Sequence, residues 1–115
     1  MPRPQKCRRV AFLPRARYFK PSGVPLRMLD EIILRIEEAE AIRLKDLKGM
    51  EQEEAAEMMN ISRPTFQRVL ASARRKVADA LLGSKAIRID GGNFEVSPLH
   101  LKYANGRHRG RWRER

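Results

Sequence analysis

Arg63, Gln67 and Arg68 are the side chains in this sequence whose types and spacing suit a specific chemistry. A guanidinium offers two donors to a guanine edge, and a glutamine amide can bond adenine in the same two-point way. The three lie in the run Ser62-Arg63-Pro64-Thr65-Phe66-Gln67-Arg68. On a helix, Gln67 falls about 40° from Arg63 and Arg68 about 140° from it, so the three span one broad face. Phe66 and Val69 take the other side. Arg68 is farthest from the helix start and suits a phosphate better than a base. Arg74 and Arg75 lie beyond the base-reading end, where phosphate contact or a solvated face is expected. Gln52 opens the helix upstream and can reach a phosphate. A plain helical hairpin with a polar outer face has the same pattern.

No other chemistry is set up. Cys7, His100 and His108 are the only soft metal-ligand types, and their spacing fits no zinc pattern. There is no phosphate-binding glycine loop and no nucleophile elbow. Asp90-Gly91-Gly92 looks like a turn. The clustered glutamates fall at helix-surface spacing without a paired acid and base. No metal, cofactor or enzymatic activity is expected.

The element that must hold the three side chains runs from Gln52 to Val69 and reads as a helix-turn-helix. Ala55, Ala56 and Met59 share a face at helical spacing. Asn60 tolerates the left-handed backbone a helix end needs. Ile61 can plug the gap between the helices. Ser62 is a good N-cap, Pro64 suits the first turn, and Thr65 helps to fix the helix end. Leu70, Ala73, Val77, Ala80 and Leu81 continue the apolar stripe, and Gly83 ends the helix. The reading helix is thus expected over 63–82. Upstream, Glu37 to Lys48 predicts another helix, its acids near the N-terminal end and Lys45 and Lys48 near the C-terminal end. Ala41, Leu44 and Leu47 form its buried face, and Gly49 is a C-cap signal.

The chain has 115 residues and a formal net charge of +11, which favours an anionic partner, most often nucleic acid. The charge is uneven: residues 36–60 are acidic, and the segments on either side are basic. Phosphates should therefore meet the second helix and the arms. One cysteine makes no internal disulfide, which suits a reducing cytoplasm. No apolar run reaches the length of a membrane span.

The flanks divide the chain into three. Residues 1–25 form a basic, proline-interrupted segment with one short strand expected within Arg8 to Leu13. Residues 26–97 hold the helix-turn-helix domain. Part of Leu26 to Ile36 fits a short helix starting near Pro25, and Ile32 to Ile36 fits an extended segment instead. Lys85 to Val96 alternates around Asp90-Gly91-Gly92-Asn93 and predicts a β-hairpin, with Val10 to Leu13 available as a third strand. Residues 98–115 make a basic tail, expected to be disordered alone.

Two resemblances follow from these residues. Glu40 to Leu82 resembles the helix-turn-helix of sigma-factor region 4, through Ala41-Ile42-Arg43-Leu44, Leu47-Lys48-Gly49-Met50, Glu54-Ala55-Ala56-Glu57, Ile61-Ser62-Arg63-Pro64-Thr65 and Ala73-Arg74-Arg75-Lys76. Asn60 stands where that group usually has Gly. The resemblance implies that the second helix reads DNA in the major groove. Pro2 to Val96 also resembles the prokaryotic family known as domain of unknown function 134. Its signatures include Lys6-Cys7-Arg8-Arg9-Val10, Arg17-Tyr18-Phe19-Lys20-Pro21, Gly23-Val24-Pro25-Leu26 and Ile87-Arg88-Ile89-Asp90-Gly91-Gly92-Asn93. That family implies DNA binding with no established target.

The fold expected is mainly α: a sigma region 4-like helix-turn-helix with a small β-hairpin and an extended basic N-terminal segment. The function expected is sequence-specific binding of double-stranded DNA by a cytoplasmic transcriptional regulator, with homodimerisation through the hairpin or Leu26 to Ile36. One alternative is an interaction module that docks on transcription machinery through Glu51, Glu53, Glu54 and Glu57. The other is RNA binding through the basic arms.

Overall fold

The strands among the described residues are two to four residues long, too short to pair stably with a sequence neighbour alone. Each finds its partner far away. A computed structural model describes residues 7–96; the basic tail over 98–115, with His100 and His108, lies outside the described residues. Strand β1 (Arg8–Val10) pairs in parallel with β5 (Phe94–Val96). Strand β4 (Ala86–Ile89) is the middle of a second sheet, antiparallel to β2 (Tyr18–Phe19) and parallel to β3 (Glu31–Leu34). Residues 1–25 thereby supply one strand to each sheet.

This corrects the hairpin expected over Lys85 to Val96. β4 and β5 belong to different sheets and do not pair. A lone hairpin would leave Ala86 and Ile89 half open to water, whereas two flanking strands help to bury both. The run Asp90-Gly91-Gly92-Asn93 carries the chain from one sheet to the other, with φ of 70° at Gly91 and 106° at Gly92. Leu26 to Ile36 uses both of its options: Leu26–Met28 is a single 3₁₀ turn, and β3 follows.

Among the described residues, helices α1 (Ile36–Ile42) and α3 (Arg63–Gly83) pack on these sheets, and α2 (Gln52–Met58) packs against α3 and the end of α1. Helix α1 widens into one π-type turn over Arg43–Leu47 and stops at Gly49, whose φ is 76°. Helix α2 is short, and α3 is long. Met59, Asn60, Ile61 and Ser62 join them, with Asn60 at a φ of 59° as its position demands. At the far end of α3 the left-handed residue is Ser84, φ 55°, and Gly83 stays helical.

Helix α3 links two apolar clusters. Phe66 and Leu70 join Ala41, Leu44, Ala55, Ala56 and Met59 in one. Ala73 joins Val10, Leu34, Ile36 and Ile89 in the other, with Val77 packed against it. Leu47 and Leu81, expected inside, lie on the surface, and Leu82 is exposed beside Leu81. The wider π turn shifts Leu47 off the buried stripe, and no element covers Leu81 among the described residues.

The larger correction concerns the glutamates. Glu37, Glu38 and Glu40, whose spacing suits a helix surface, are buried. Each fastens α1 to a different element. Glu37 Oε2 accepts from the Asn93 N–H at 3.4 Å. Glu38 accepts from the Arg35 N–H at 2.9 Å, the Ser72 hydroxyl at 2.7 Å and Lys76 Nζ at 2.8 Å. Glu40 accepts from the Ala11 N–H at 3.0 Å and is gripped twice by Arg43, at 2.8 and 2.9 Å. Such donors make the burial of Glu38 and Glu40 tolerable, whereas Glu37 Oε1 is enclosed without a hydrogen-bond partner among the described residues. Burial alone would raise the Glu38 carboxyl, but Lys76, the Arg35 N–H and Ser72 together hold it below the usual carboxylate range.

Candidate nucleic-acid interface

The outer face of α3 is positioned from its first residue. The Ser62 hydroxyl accepts from the Thr65 N–H at 3.3 Å and donates to Thr65 Oγ1 at 2.9 Å. Pro64 occupies the first turn, where its missing N–H costs nothing. Phe66 is fully buried below, so the helix cannot roll about its axis without opening the core. Arg63, Pro64, Gln67 and Arg68 are consequently exposed, together with Ala71, Arg74, Arg75 and Ala78. No acid occurs between Arg63 and Ala78. The face is cationic at both ends, with small Ala71 between them.

The expected site residues differ in what holds them. Arg63 and Gln67 are exposed, and their side chains make no hydrogen bond or ion pair among the described residues. Arg68 leans back on its own helix, its Nη2 donating to Thr65 Oγ1 at 3.4 Å. Ser62 and Thr65 act through the cap, as their types imply. Arg74 and Arg75, alike in sequence, differ. Arg74 is held bidentate by Asp46 at 3.1 and 2.5 Å, and Arg75 is exposed without a partner among the described residues. The Arg74 guanidinium keeps the Asp46 carboxyl below its ordinary range, so that cation is largely neutralised locally. Gln52 is half-buried at the start of α2, and its Oε1 is enclosed without a hydrogen-bond partner, so it is not displayed as a free surface amide.

One cation at this surface is hidden in the sequence. Arg8, from β1, lines a polar hollow of about 600 Å³ with Asn60, Ser62, Thr65 and Arg68; Glu57 forms its acidic wall. The Arg8 Nε is buried and unpartnered among the described residues. Its place is set by the main chain of its neighbour: the Arg9 N–H donates to the Met59 carbonyl at 2.8 Å, pinning β1 against the turn. About fifty residues separate the two, and in the sequence Arg8 is one of many N-terminal cations. The hollow places two guanidiniums and two hydroxyls near the start of α3, groups that bind phosphate oxygens.

Helix α2 carries the opposite charge. Glu53 and Glu57 are exposed and form no ion pair among the described residues, and Glu54 reaches back to the Glu51 N–H at 3.4 Å. Among the described residues no cluster of His, Cys, Asp and Glu could hold a metal ion. No described helix is long and apolar enough to cross a membrane.

A family model described as "Protein of unknown function DUF134" matches residues 1–97. The UPF0251 protein of Thermoanaerobacter pseudethanolicus is 60% identical over 97% of this chain and 97% of its own length. A UPF0251 protein of Dehalococcoides mccartyi is 66% identical over 84% of this chain and 82% of its own. That of Pelotomaculum thermopropionicum is 56% identical over 95% and 83%. No solved structure matches the chain.

Proposed function

The chain belongs to the DUF134 family, and we propose that it is a sequence-specific double-stranded DNA-binding protein, a transcriptional regulator whose α3 enters the major groove. In this reading α2 and α3 are a helix-turn-helix of the sigma region 4 kind. The observation that carries it is the exposed face of α3, which has no acid of its own from Arg63 to Ala78 and where Arg63 and Gln67 project side by side without side-chain partners among the described residues while Phe66 locks the helix from beneath. Side chains held on a fixed helix and left unpaired suit base edges. Arg68, Arg8 and Arg75 flank them and suit phosphates, which set register and affinity without reading sequence. Arg74 contributes little, being committed to Asp46.

A second reading, docking on a basic protein partner, is favoured by one observation: Glu53 and Glu57 are exposed on the neighbouring helix and form no ion pair among the described residues. Selection of bound fragments from random duplex DNA separates the two. DNA reading expects an enriched site. Arg63→Ala and Gln67→Ala should each cost about 1–3 kcal/mol of discrimination at one or two base pairs, with the fold intact. Equal affinity for selected and scrambled duplexes, untouched by either substitution, would sink it. Docking instead expects no preferred duplex, and loss of a protein partner when Glu53 and Glu57 are changed.

A further inference from the structure

Among the described residues the outer edge of β3 is open. Its inner edge is identified by two hydrogen bonds to β4 and the turn after it: the Ala86 N–H donates to the Asp30 carbonyl at 2.9 Å, and the Asp90 N–H to the Leu34 carbonyl at 3.0 Å. Main-chain groups alternate sides along a strand. Those of Asp30, Ile32 and Leu34 therefore face β4, and those of Glu31 and Ile33 face outward, with no main-chain partner among the described residues. The Arg35 N–H also points out, but Glu38 caps it. The side chains alternate in the same way. Leu34 is buried, whereas Glu31, Ile33 and Arg35 share the exposed face.

An edge of this kind is a template for another strand. Its side chains select which one. Glu31 and Arg35 carry opposite charges and lie two residues either side of Ile33. An antiparallel copy of the same strand, turned about Ile33, sets each Glu31 against Arg35 of the second copy, twice, with the two isoleucines in contact between them. A parallel copy in register would set glutamate on glutamate and arginine on arginine. Arg35 has no ion-pair partner among the described residues. Glu31 already accepts from Arg88 at 2.8 and 3.1 Å and from the Tyr18 hydroxyl at 2.8 Å, so its carboxylate is held in place, and Arg35 of the second copy would join a charge that Arg88 already partly neutralises. Ile33 is 45% exposed, and Leu26 and Met28, in the turn leading to β3, are 59% and 69% exposed. These are three of the seven large apolar side chains exposed among the described residues, gathered within eight positions of chain.

We propose that β3 is a homodimer interface, pairing antiparallel with β3 of a second copy around Ile33 and extending the three-stranded sheet to six strands across a two-fold axis. The exchange at its centre is short: each Ile33 N–H donates to the Ile33 carbonyl of the other copy. The helix start at Ile36 ends the pairing on both sides. The dimer stands apart from the DNA reading. Only one corollary rests on that reading, namely that a selected site should be an inverted repeat.

Sedimentation velocity on the full chain without DNA tests it. Dimer is expected to grow with protein concentration. Each interface change acts twice in a symmetric dimer, so Arg35→Glu should weaken association about tenfold or more. Ile33→Lys should abolish it, and the double change Glu31→Lys with Arg35→Glu should restore part of what Arg35→Glu loses. Thermal melts report whether each variant folds. Amide exchange on the unaltered chain gives a readout without substitution: the Ile33 N–H should exchange more slowly as concentration rises. A chain that stays monomeric up to millimolar concentration overturns the proposal. So does a dimer indifferent to Ile33→Lys, or an Ile33 amide whose exchange ignores concentration.

Discussion

Gly92 lies directly against the buried carboxylate of Glu37, at the point where the chain leaves one sheet for the other. A Cβ added to Gly92 would collide with Glu37 Oε1, and it would stand 3.0 Å from the carboxyl carbon and 3.1 Å from Arg35 Cβ. The Ile36 N–H donates to the Gly91 carbonyl at 3.1 Å from the same loop. The Gly91-Gly92-Asn93 backbone thus covers the start of α1 and encloses its first acid.

Gly92→Ala should destabilise by about 1–3 kcal/mol, from a left-handed φ and from the missing space together. Gly91→Ala is the control. It carries a positive φ with nothing within 4 Å, so about 1 kcal/mol is expected. Denaturant melts of the two variants compare them. Equal losses would mean that Glu37 moves aside freely and that the close approach carries no weight.

Phe66→Ala should destabilise by about 3–5 kcal/mol, because Phe66 is fully enclosed between α2, α3 and the end of α1. An unchanged thermal midpoint would remove the restraint that aims Arg63 and Gln67 outward.

The Glu38 carboxyl titrates below its ordinary value in the folded chain. It binds protons less readily folded than unfolded, so its stabilising contribution is present above the unfolded value and is lost as pH falls through the folded one. Lys76→Met should cost about 1–3 kcal/mol near neutral pH, less than for a fully buried pair because Lys76 is partly exposed. The difference from the unaltered chain should shrink as Glu38 protonates. Stability measured in denaturant across the acid range checks this, and a difference that persists undiminished at low pH would place the effect in packing and not in charge.

Arg75→Ala should weaken binding to all duplexes alike and reduce the slope of log affinity against log salt by about 0.9, the share of a single neutralised phosphate. Arg74→Ala should change the slope far less, because Asp46 already neutralises that guanidinium. Deleting residues 107–115 should flatten the slope further. Titrations of one duplex at several salt concentrations measure all three. Identical slopes for Arg74→Ala and Arg75→Ala would show that Asp46 releases its partner on binding.

What was legible in the sequence was whatever depends on near neighbours. The short helix, the left-handed Asn60, the Ser62 cap, Pro64 in the first turn, and Phe66 inside with Arg63 and Gln67 outside all follow from helical periodicity and local backbone chemistry. Family membership was legible for the same reason, in contiguous runs of residues. Tertiary structure decided everything that pairs distant segments. Three-residue strands carry no information about their partners, so the alternation over Lys85 to Val96 suits a hairpin equally well, and only the flanking β3 and β2 decide against it. Glu37, Glu38 and Glu40 sit at spacing that also suits a solvated helix face, and only donors from distant segments, Lys76 for Glu38 and the Ala11 N–H for Glu40, make the burial of those two tolerable; Glu37 has one long bond from Asn93 and a second oxygen without a partner among the described residues. Arg74 and Arg75 are adjacent and chemically identical. The position of Asp46, twenty-eight residues upstream of Arg74, is what ties up one of them and not the other.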